Sequence, residues 1–363
     1  MRKRHAWAWS MAFALIASAA LAETGAPRGE RKEKRPAEEI SEEVEACMSC
    51  HNDPELEIDL ESEEVMLMHV DPEKFAGSVH AETGCTECHT PLRGQLNKHK
   101  ALTFDTKREY RLNYSAQCHD CHKEIHDLTK ESVHANLPPE KADKAPVCAD
   151  CHDAHGTKKD EPRIAISKTC ASCHEKVAEV YAKSVHGNSL MDGTNPDVPV
   201  CADCHKSHDI ADPKSAKARI GQPETCAGCH TDEKLMEKYG LSTNVMASYL
   251  QDFHGATVLL EKGRENPQAL VAVCTDCHGV HDIAKADDPN SHVMKDNMAQ
   301  TCAKCHEGAS ADFPDAWLSH YEPSWSRAPF VKAVNTGYGM LIPYMIGGLL
   351  LQVFLHLWRM LVK

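Results

Sequence analysis

Aromatic side chains are scarce in this sequence, since Phe, Trp and Tyr make up only 6% of its 363 residues. Cysteine and histidine are abundant by comparison, with 18 and 24 residues. An ordinary globular core relies on bulky apolar and aromatic side chains, so this balance is unusual for a soluble domain. Whatever fills the interior of this protein, aromatic side chains supply little of it.

No cysteine stands outside one repeated pattern. The 18 cysteines form nine C-x-x-C pairs, and a histidine follows every pair directly. The cysteines are Cys47, Cys50, Cys85, Cys88, Cys118, Cys121, Cys148, Cys151, Cys170, Cys173, Cys201, Cys204, Cys226, Cys229, Cys274, Cys277, Cys302 and Cys305. The histidines that follow them, called proximal below, are His51, His89, His122, His152, His174, His205, His230, His278 and His306.

C-x-x-C-H is the attachment signature of a c-type haem. Two thiols one helical turn apart reach the two vinyl groups at one edge of the porphyrin, and the adjacent histidine lies under the ring, where its imidazole binds the iron. Disulfides or zinc sites would give no reason for a histidine after every cysteine pair. The pattern therefore predicts nine covalently bound haem c groups.

Nine of the remaining histidines are candidates for the second axial position of these irons. Three occupy C-x-x-C-H-x-x-H motifs: His155, His208 and His281. Five end short stretches such as G-S-V-H or Q-D-F-H: His80, His134, His186, His254 and His320. His99, the least motif-like, completes the set, and His69, His119, His126 and His292 remain as alternatives.

The motifs alternate in type along the chain. Motifs of the C-x-D-C-H-x-x-H type begin at Cys148, Cys201 and Cys274, and each is followed after 22, 25 or 28 residues by one of the T-C-A-x-C-H type. This alternation predicts repeated two-haem units, with the motif at Cys85 breaking the pattern. A continuous helix from His174 to His186 would hold these two histidines about 18 Å apart. We therefore expect each second ligand to serve a neighbouring haem.

With these motifs, residues 47–320 resemble the bis-histidine multihaem cytochromes c that combine C-x-x-C-H-x-x-H with S-x-H elements. Such proteins occur as periplasmic electron-transfer subunits of quinone-linked oxidoreductase complexes. The resemblance implies closely stacked haems that conduct electrons along the chain of irons.

Haem density sets the expected fold class. Residues 47–306 provide roughly one haem per 29 residues, which is too little chain for a separate core around each group. We expect the haems to form the core of a mainly α nonahaem domain at residues 47–328, with long loops and little β structure. Residues 23–46 are highly charged and poor in large apolar side chains, and they predict a flexible linker.

Both ends of the chain indicate export and membrane attachment. Residues 1–22 combine a basic start, a short apolar stretch and a small-x-small cleavage site, which predicts a signal peptide. Residues 333–358 carry no formal charge and are long enough to cross a bilayer, so residues 329–363 are the predicted transmembrane anchor. We expect a single span in the inner membrane, with the haem domain in the periplasm. His356, near the end of the span, is either a headgroup contact or a ligand within the membrane.

The net charge and the number of candidate iron ligands favour some functions over others. The net charge is −14, which argues against nucleic acid and favours basic redox partners. Enough histidines are present to fill both axial positions of nine irons, and no C-x-x-C-K variant occurs. We therefore favour an electron carrier that links a polytopic, quinone-linked membrane subunit, such as a b-type cytochrome, to periplasmic or outer-membrane redox proteins. The alternative is a multihaem enzyme acting on nitrite, hydroxylamine or tetrathionate.

Overall fold

The computed structural model describes residues 37–95, 104–191, 193, 195–317 and 320–362. The predicted signal peptide, the first part of the predicted linker and the candidate ligand His99 lie outside the described residues.

The described residues form mainly short helices joined by loops. The α-helices are α1 (Ala37–His51), α2 (Pro72–Ala76), α3 (Cys85–Cys88), α4 (Lys107–Ser115), α5 (Lys123–Thr129), α6 (Cys148–Cys151), α7 (Arg163–Ala171), α8 (Glu175–Tyr181), α9 (Val185–Met191), α10 (Cys201–His205), α11 (Ala216–His230), α12 (Glu233–Glu237), α13 (Val245–Gln251), α14 (Phe253–Lys262), α15 (Cys274–His278), α16 (Lys295–Ala303) and α17 (Pro329–Val362). Short 3-10 helices occupy Thr90–Leu92, Ala116–Asp120, Pro139–Lys144 and Phe313–Ala316.

β structure is limited to one hairpin among the described residues. Its strands β1 (Glu57–Asp59) and β2 (Val65–Leu67) pair antiparallel, with Ile58 opposite Met66. The prediction of a mainly helical fold with little β structure is confirmed.

The apolar core built by the polypeptide itself is small. Two buried clusters are found in the described part of the chain, and the larger contains Ile220, Val258, Val271 and Val273. The other joins Leu190, Val198 and Val200. Each cluster includes a valine directly before a C-x-x-C motif, Val273 or Val200. The clusters therefore hold the start of these two motifs in place.

The predicted linker is helical in its second part. Residues 37–46 form the start of α1, where Ile40 and Glu43 lie on one face, one turn apart, and are buried. The Glu43 carboxylate accepts hydrogen bonds from the backbone nitrogen and the hydroxyl of Thr86, at 2.7 and 3.0 Å. The linker prediction is therefore wrong for residues 37–46. A high content of charged residues concealed the one helical face that packs against the second motif.

The stretch between His174 and His186 is not one continuous helix. α8 ends at Tyr181 and α9 begins at Val185. A Cβ atom on Gly187 would lie 1.8 Å from the carbonyl oxygen of Tyr181, so this sharp connection requires glycine. The chain therefore turns just before His186, so this histidine does not continue the direction of α8.

α17 is the one helix of the described residues that is long and apolar enough to cross a membrane. It spans 34 residues and contains Pro343, and none of its described residues is buried. The prediction of one long apolar C-terminal helix is confirmed.

Candidate functional site

The C-x-x-C motifs meet one another through their first cysteines. The thiols of the first cysteines of consecutive motifs interact in four pairs: Cys47 with Cys85, Cys118 with Cys148, Cys170 with Cys201, and Cys226 with Cys274. Burial raises the pKa of the Cys85 thiol to about 12, and the neighbouring Cys47 thiol adds to the shift. We call the two motifs of each pair a unit below, and Cys302 begins the ninth motif, after the last unit.

These units are shifted by one motif relative to the two-haem units predicted from the sequence. The sequence groups the motif at Cys148 with the following motif at Cys170, whereas the interacting thiols group Cys148 with the preceding Cys118. The motifs on the two sides of a unit boundary are nevertheless close to each other, because the thiols of Cys151 and Cys173 interact electrostatically. The thiol of Cys277 interacts in the same way with that of Cys302. The motifs therefore follow one another in space in their order along the chain.

Sixteen histidines form eight pairs with a common spacing, and each pair joins a proximal histidine to one of the predicted second ligands. The distances between ring centres run from 5.9 to 6.2 Å. The pairs are His89–His155, His122–His80, His152–His208, His174–His134, His205–His281, His230–His186, His278–His320 and His306–His254.

This spacing suits two imidazoles on opposite faces of one metal ion. A coordinating imidazole nitrogen lies about 2.0 Å from a metal and the ring centre about 1 Å further, so two opposed rings have centres about 6 Å apart. Two rings in direct van der Waals stacking would lie closer together than the eight observed pairs do. The residues therefore fit haem iron bound between each pair, with the thiols of the proximal motif at one edge.

No pair joins two histidines of the same motif, and the pairing follows a rule. At each boundary between units, the earlier unit contributes a histidine to the later one, and the later unit contributes a histidine in return. His134 of the Cys118–Cys148 unit faces His174 of the next unit, while His208 of that next unit faces His152. The expectation that second ligands serve neighbouring haems agrees with this geometry, and ligation itself stays a prediction.

Backbone hydrogen bonds hold the two exchanged histidines of a boundary together. The residue before the S-V-H type histidine donates its N–H to a carbonyl two residues after the C-H-x-x-H histidine. Val133 donates to Ile210 at 2.8 Å, and Val185 donates to Ile283 at 2.9 Å. Val79 and Thr157 form the same bond at 2.9 Å. Each boundary with this bond is therefore closed by a short backbone pairing as well as by two ligand exchanges.

In three of the four units, an arginine forms an ion pair with the second motif, and we call this pair the arginine brace. Arg111, Arg163 and Arg219 each lie seven residues before the first cysteine of the unit and pair with the aspartate inside the second C-x-D-C motif, namely Asp150, Asp203 and Asp276. The distances between nitrogen and carboxylate oxygen are 2.8, 2.6 and 2.8 Å.

The same aspartates also cap the one-turn helices that carry the cysteines. The Asp276 carboxylate accepts from the backbone nitrogen of Val273 at 2.7 Å, and Arg219 donates to the Val271 carbonyl at 2.8 Å. This satisfies backbone groups that a one-turn helix cannot satisfy itself. The sequence analysis missed this brace. Its signal was the recurrence of arginine at a constant distance before the motif, together with the aspartate inside C-x-D-C.

A ring nitrogen of two paired histidines, His80 and His320, has its own hydrogen-bond partner. The Nδ1 atom of His80 lies 3.1 Å from the Ala154 carbonyl, and Nδ1 of His320 lies 3.4 Å from the Ser248 hydroxyl. Such bonds orient a metal-binding imidazole and select its tautomer. Burial, with a further contribution from His230, lowers the pKa of His186 to about 4. The imidazole is therefore neutral, as a ligand must be.

The proximal His51 belongs to the one remaining site, that of the motif at Cys47. Its Nδ1 atom lies 2.8 Å from the Met68 carbonyl. The one remaining candidate for a second ligand, His99, lies outside the described residues. Of the alternatives, His119 and His126 contact each other with ring centres 4.3 Å apart, and His292 bonds Asp282 at 2.9 Å. His69 keeps a buried Nδ1 atom that has no hydrogen-bond partner in the described structure.

A competing metal site does not emerge from these residues. Across the described ranges, no three or more His, Cys, Asp or Glu side chains converge as a structural zinc ion would require.

Comparison with known proteins identifies the central part of the chain. Residues 140–231 match the cytochrome c3 family model, and they include the motifs at Cys148, Cys170, Cys201 and Cys226. No curated protein and no solved structure matches the chain. The matched segment is a multihaem domain of the cytochrome c3 type, which binds c-type haems covalently and carries electrons.

Proposed function

We propose that this protein is a nonahaem cytochrome c that moves electrons between a quinone-linked membrane subunit and periplasmic or outer-membrane acceptors. The segment matched by the family model contains four of the nine motifs. The proposal extends its chemistry to all nine, because all share the same C-x-x-C-H attachment sequence.

The observation that carries the proposal is the set of eight histidine pairs. When haem is bound, each pair would occupy both axial positions of one iron and leave no open position for a substrate. The iron then exchanges electrons without binding or releasing a ligand. This arrangement favours electron transfer over the reduction of nitrite, hydroxylamine or tetrathionate, which needs an accessible iron.

A second observation supports conduction along the whole chain. Each motif lies next to the following one, through the close approach of first cysteines within units and of pairs such as Cys151 and Cys173 between units. Since the cysteines mark one edge of each porphyrin, neighbouring haems would lie edge against edge. The chain of motifs from Cys47 to Cys302 would then form one continuous route for electrons.

The C-terminal helix supports the membrane attachment of this route. α17 offers no buried face to the rest of the protein and is long enough to cross a bilayer. A single helix cannot enclose a quinone, so the proposal includes a polytopic partner subunit. With the signal peptide removed, the haem domain lies on the periplasmic side, where c-type haems are attached.

Intact mass and EPR of the oxidised protein test the proposal. We expect the mass excess of nine haems over the mature chain and low-spin signals for all of them. A mass excess for fewer haems would show that some motifs are not used. A high-spin signal that changes on addition of nitrite or hydroxylamine would favour the enzyme instead.

A further inference from the structure

The last part of the haem domain is fastened to α13 and α14. Trp317 donates its indole N–H to the Asp252 carboxylate at 2.5 Å. Asn244 donates its side-chain N–H to Glu322 at 3.1 Å. These bonds fix the segment up to Glu322 against the helices that carry His254 and Ser248.

Only a short length of chain separates this fixed segment from the apolar helix. α17 begins seven residues after Glu322, and seven residues extend at most about 25 Å. The α13–α14 end of the haem domain must therefore lie within that distance of the start of α17.

This end of the domain also exposes aromatic side chains. Phe253, next to the fixed Asp252, is 90% exposed, and Trp325 and Tyr321 are 64% and 58% exposed. The guanidinium of Arg327 lies 4.0 Å above the Tyr321 ring. Aromatic rings together with a basic side chain, just outside an apolar span, suit the headgroup region of a bilayer.

The two histidine pairs nearest this surface are the last ones in the chain. His254 follows Phe253 directly and faces His306, while His320 lies three residues after Trp317 and faces His278. The sites of the motifs at Cys274 and Cys302 are therefore the ones held closest to the aromatic surface.

We infer that Phe253, Tyr321 and Trp325 form a seat that rests on the lipid headgroups, with the haems of Cys274 and Cys302 nearest the membrane. This inference rests on the proposed haem content and membrane anchor. It assigns the C-terminal pair of haems as the place where electrons pass between the membrane and the haem chain, and the motif at Cys47 as the distant end.

The test uses the full chain in phosphatidylcholine vesicles containing a lipid whose headgroup chelates Gd³⁺, with La³⁺ as the diamagnetic control. Enhanced relaxation of the haem EPR signals reports proximity to the headgroups. Signals are assigned from the variants His320→Ala and His254→Ala, which perturb the haems of Cys274 and Cys302 respectively. We expect the enhancement to be confined to these two haems.

A second set of variants distinguishes lipid binding by the seat from simple attachment through the short connection to α17. Insertion of 20 Gly/Ser residues between Ser326 and Arg327 adds about 25 Å of flexible reach. If the seat binds lipid, the enhancement persists in this variant. The enhancement then falls about fivefold or more when Phe253→Glu and Trp325→Glu are added to the insertion variant. The haem domain no longer binds the lipid surface and moves away from it by up to the added length of about 25 Å. Val65→Glu with Leu67→Glu, a pair of exposed apolar residues in β2, is the matched control and should leave the enhancement unchanged.

Three results would overturn the inference. They are uniform enhancement of all haems, enhancement strongest at Cys85 or Cys118, and loss of enhancement on insertion alone. Failure of the proposed function looks different, because the protein would then not sediment with the vesicles or would lack the mass of nine haems.

Discussion

His155 and His89 face each other with ring centres 6.1 Å apart and planes inclined by only 17°, although one belongs to the motif at Cys148 and the other to the motif at Cys85. This pair spans a unit boundary, and the reverse exchange places His80 opposite His122. Each boundary therefore depends on residues from both sides. Consequently the loss of one histidine should affect a haem that is attached elsewhere in the sequence.

The exchange predicts which haem loses a ligand when His320 is removed. In His320→Ala, the haem of Cys274 should become high-spin, whereas the haem of the sequence-adjacent motif at Cys302 should stay low-spin. The reason is that His320 faces His278 and not His306. Quantitative EPR would find one high-spin haem per molecule.

His292→Ala is the control for this substitution, since His292 bonds Asp282 and faces no proximal histidine of the described structure. It should retain the full low-spin spectrum. A high-spin signal that arises instead from the Cys302 haem would contradict the pairing.

Ring orientation predicts two classes of EPR signal. Five pairs are near-parallel, with interplanar angles of 12 to 29°, and three are strongly inclined, at 55 to 68°. Parallel imidazoles bond to the same iron d orbital and split the d levels strongly, which gives rhombic low-spin spectra. Inclined imidazoles leave two d orbitals nearly degenerate and give a signal with a large maximum g value.

Spin quantitation of the oxidised protein should therefore find about five rhombic haems and three of the large-g type among the eight described sites. His186→Ala should remove one of the large-g signals, since its pair is inclined by 55°. Its counterpart His208→Ala should remove a rhombic one, since its pair is inclined by 21°. A spectrum with a single class of low-spin haem would contradict the observed orientations.

The arginine brace predicts a specific loss of stability. Arg219→Gln leaves the carboxylate of Asp276, which is two-thirds buried, without its cation and removes a hydrogen bond to the Val271 carbonyl. We expect the free energy of unfolding to fall by about 1–3 kcal/mol, measured from thermal unfolding followed by circular dichroism. Arg219→Lys should recover only part of this loss, because lysine cannot bond both groups in the same geometry.

Lys262→Gln is the matched control for the brace. It breaks an ion pair of similar length with Glu224, but both side chains are about half exposed. Such a pair contributes at most about 1 kcal/mol. Equal losses for Arg219→Gln and Lys262→Gln would show that the brace has no special role.

Glycine is required at position 255, directly after the predicted ligand His254. A Cβ atom there would lie 2.1 Å from the Tyr249 carbonyl oxygen, so Gly255→Ala must shift the adjacent His254. We expect the Cys302 haem to lose its second ligand and become high-spin in optical and EPR spectra. Gly221→Ala, where the added Cβ atom meets no atom within 4 Å, should leave the spectra unchanged.

Several features were predictable because they depend on neighbouring residues. The spacing of C-x-x-C-H and the uncharged length of α17 are local, and so is the placement of second-ligand candidates in S-V-H and C-H-x-x-H. The boundary of the first helix was not predictable in the same way. Its packing depends on Glu43 reaching Thr86 in another motif, and nothing near Glu43 in the sequence distinguishes it from the surrounding acidic residues.

The sequence alone determined the number of haem attachment motifs and the identity of their proximal histidines, because the attachment chemistry is contained in five consecutive residues. Only the tertiary structure decided which histidines face each other, since paired residues lie 40 to 76 positions apart. Their meeting depends on turns at Gly187 and Gly255, on the arginine brace and on the backbone bonds that close three of the boundaries. Ligand pairing is therefore a property of how the units dock, and no single motif contains it.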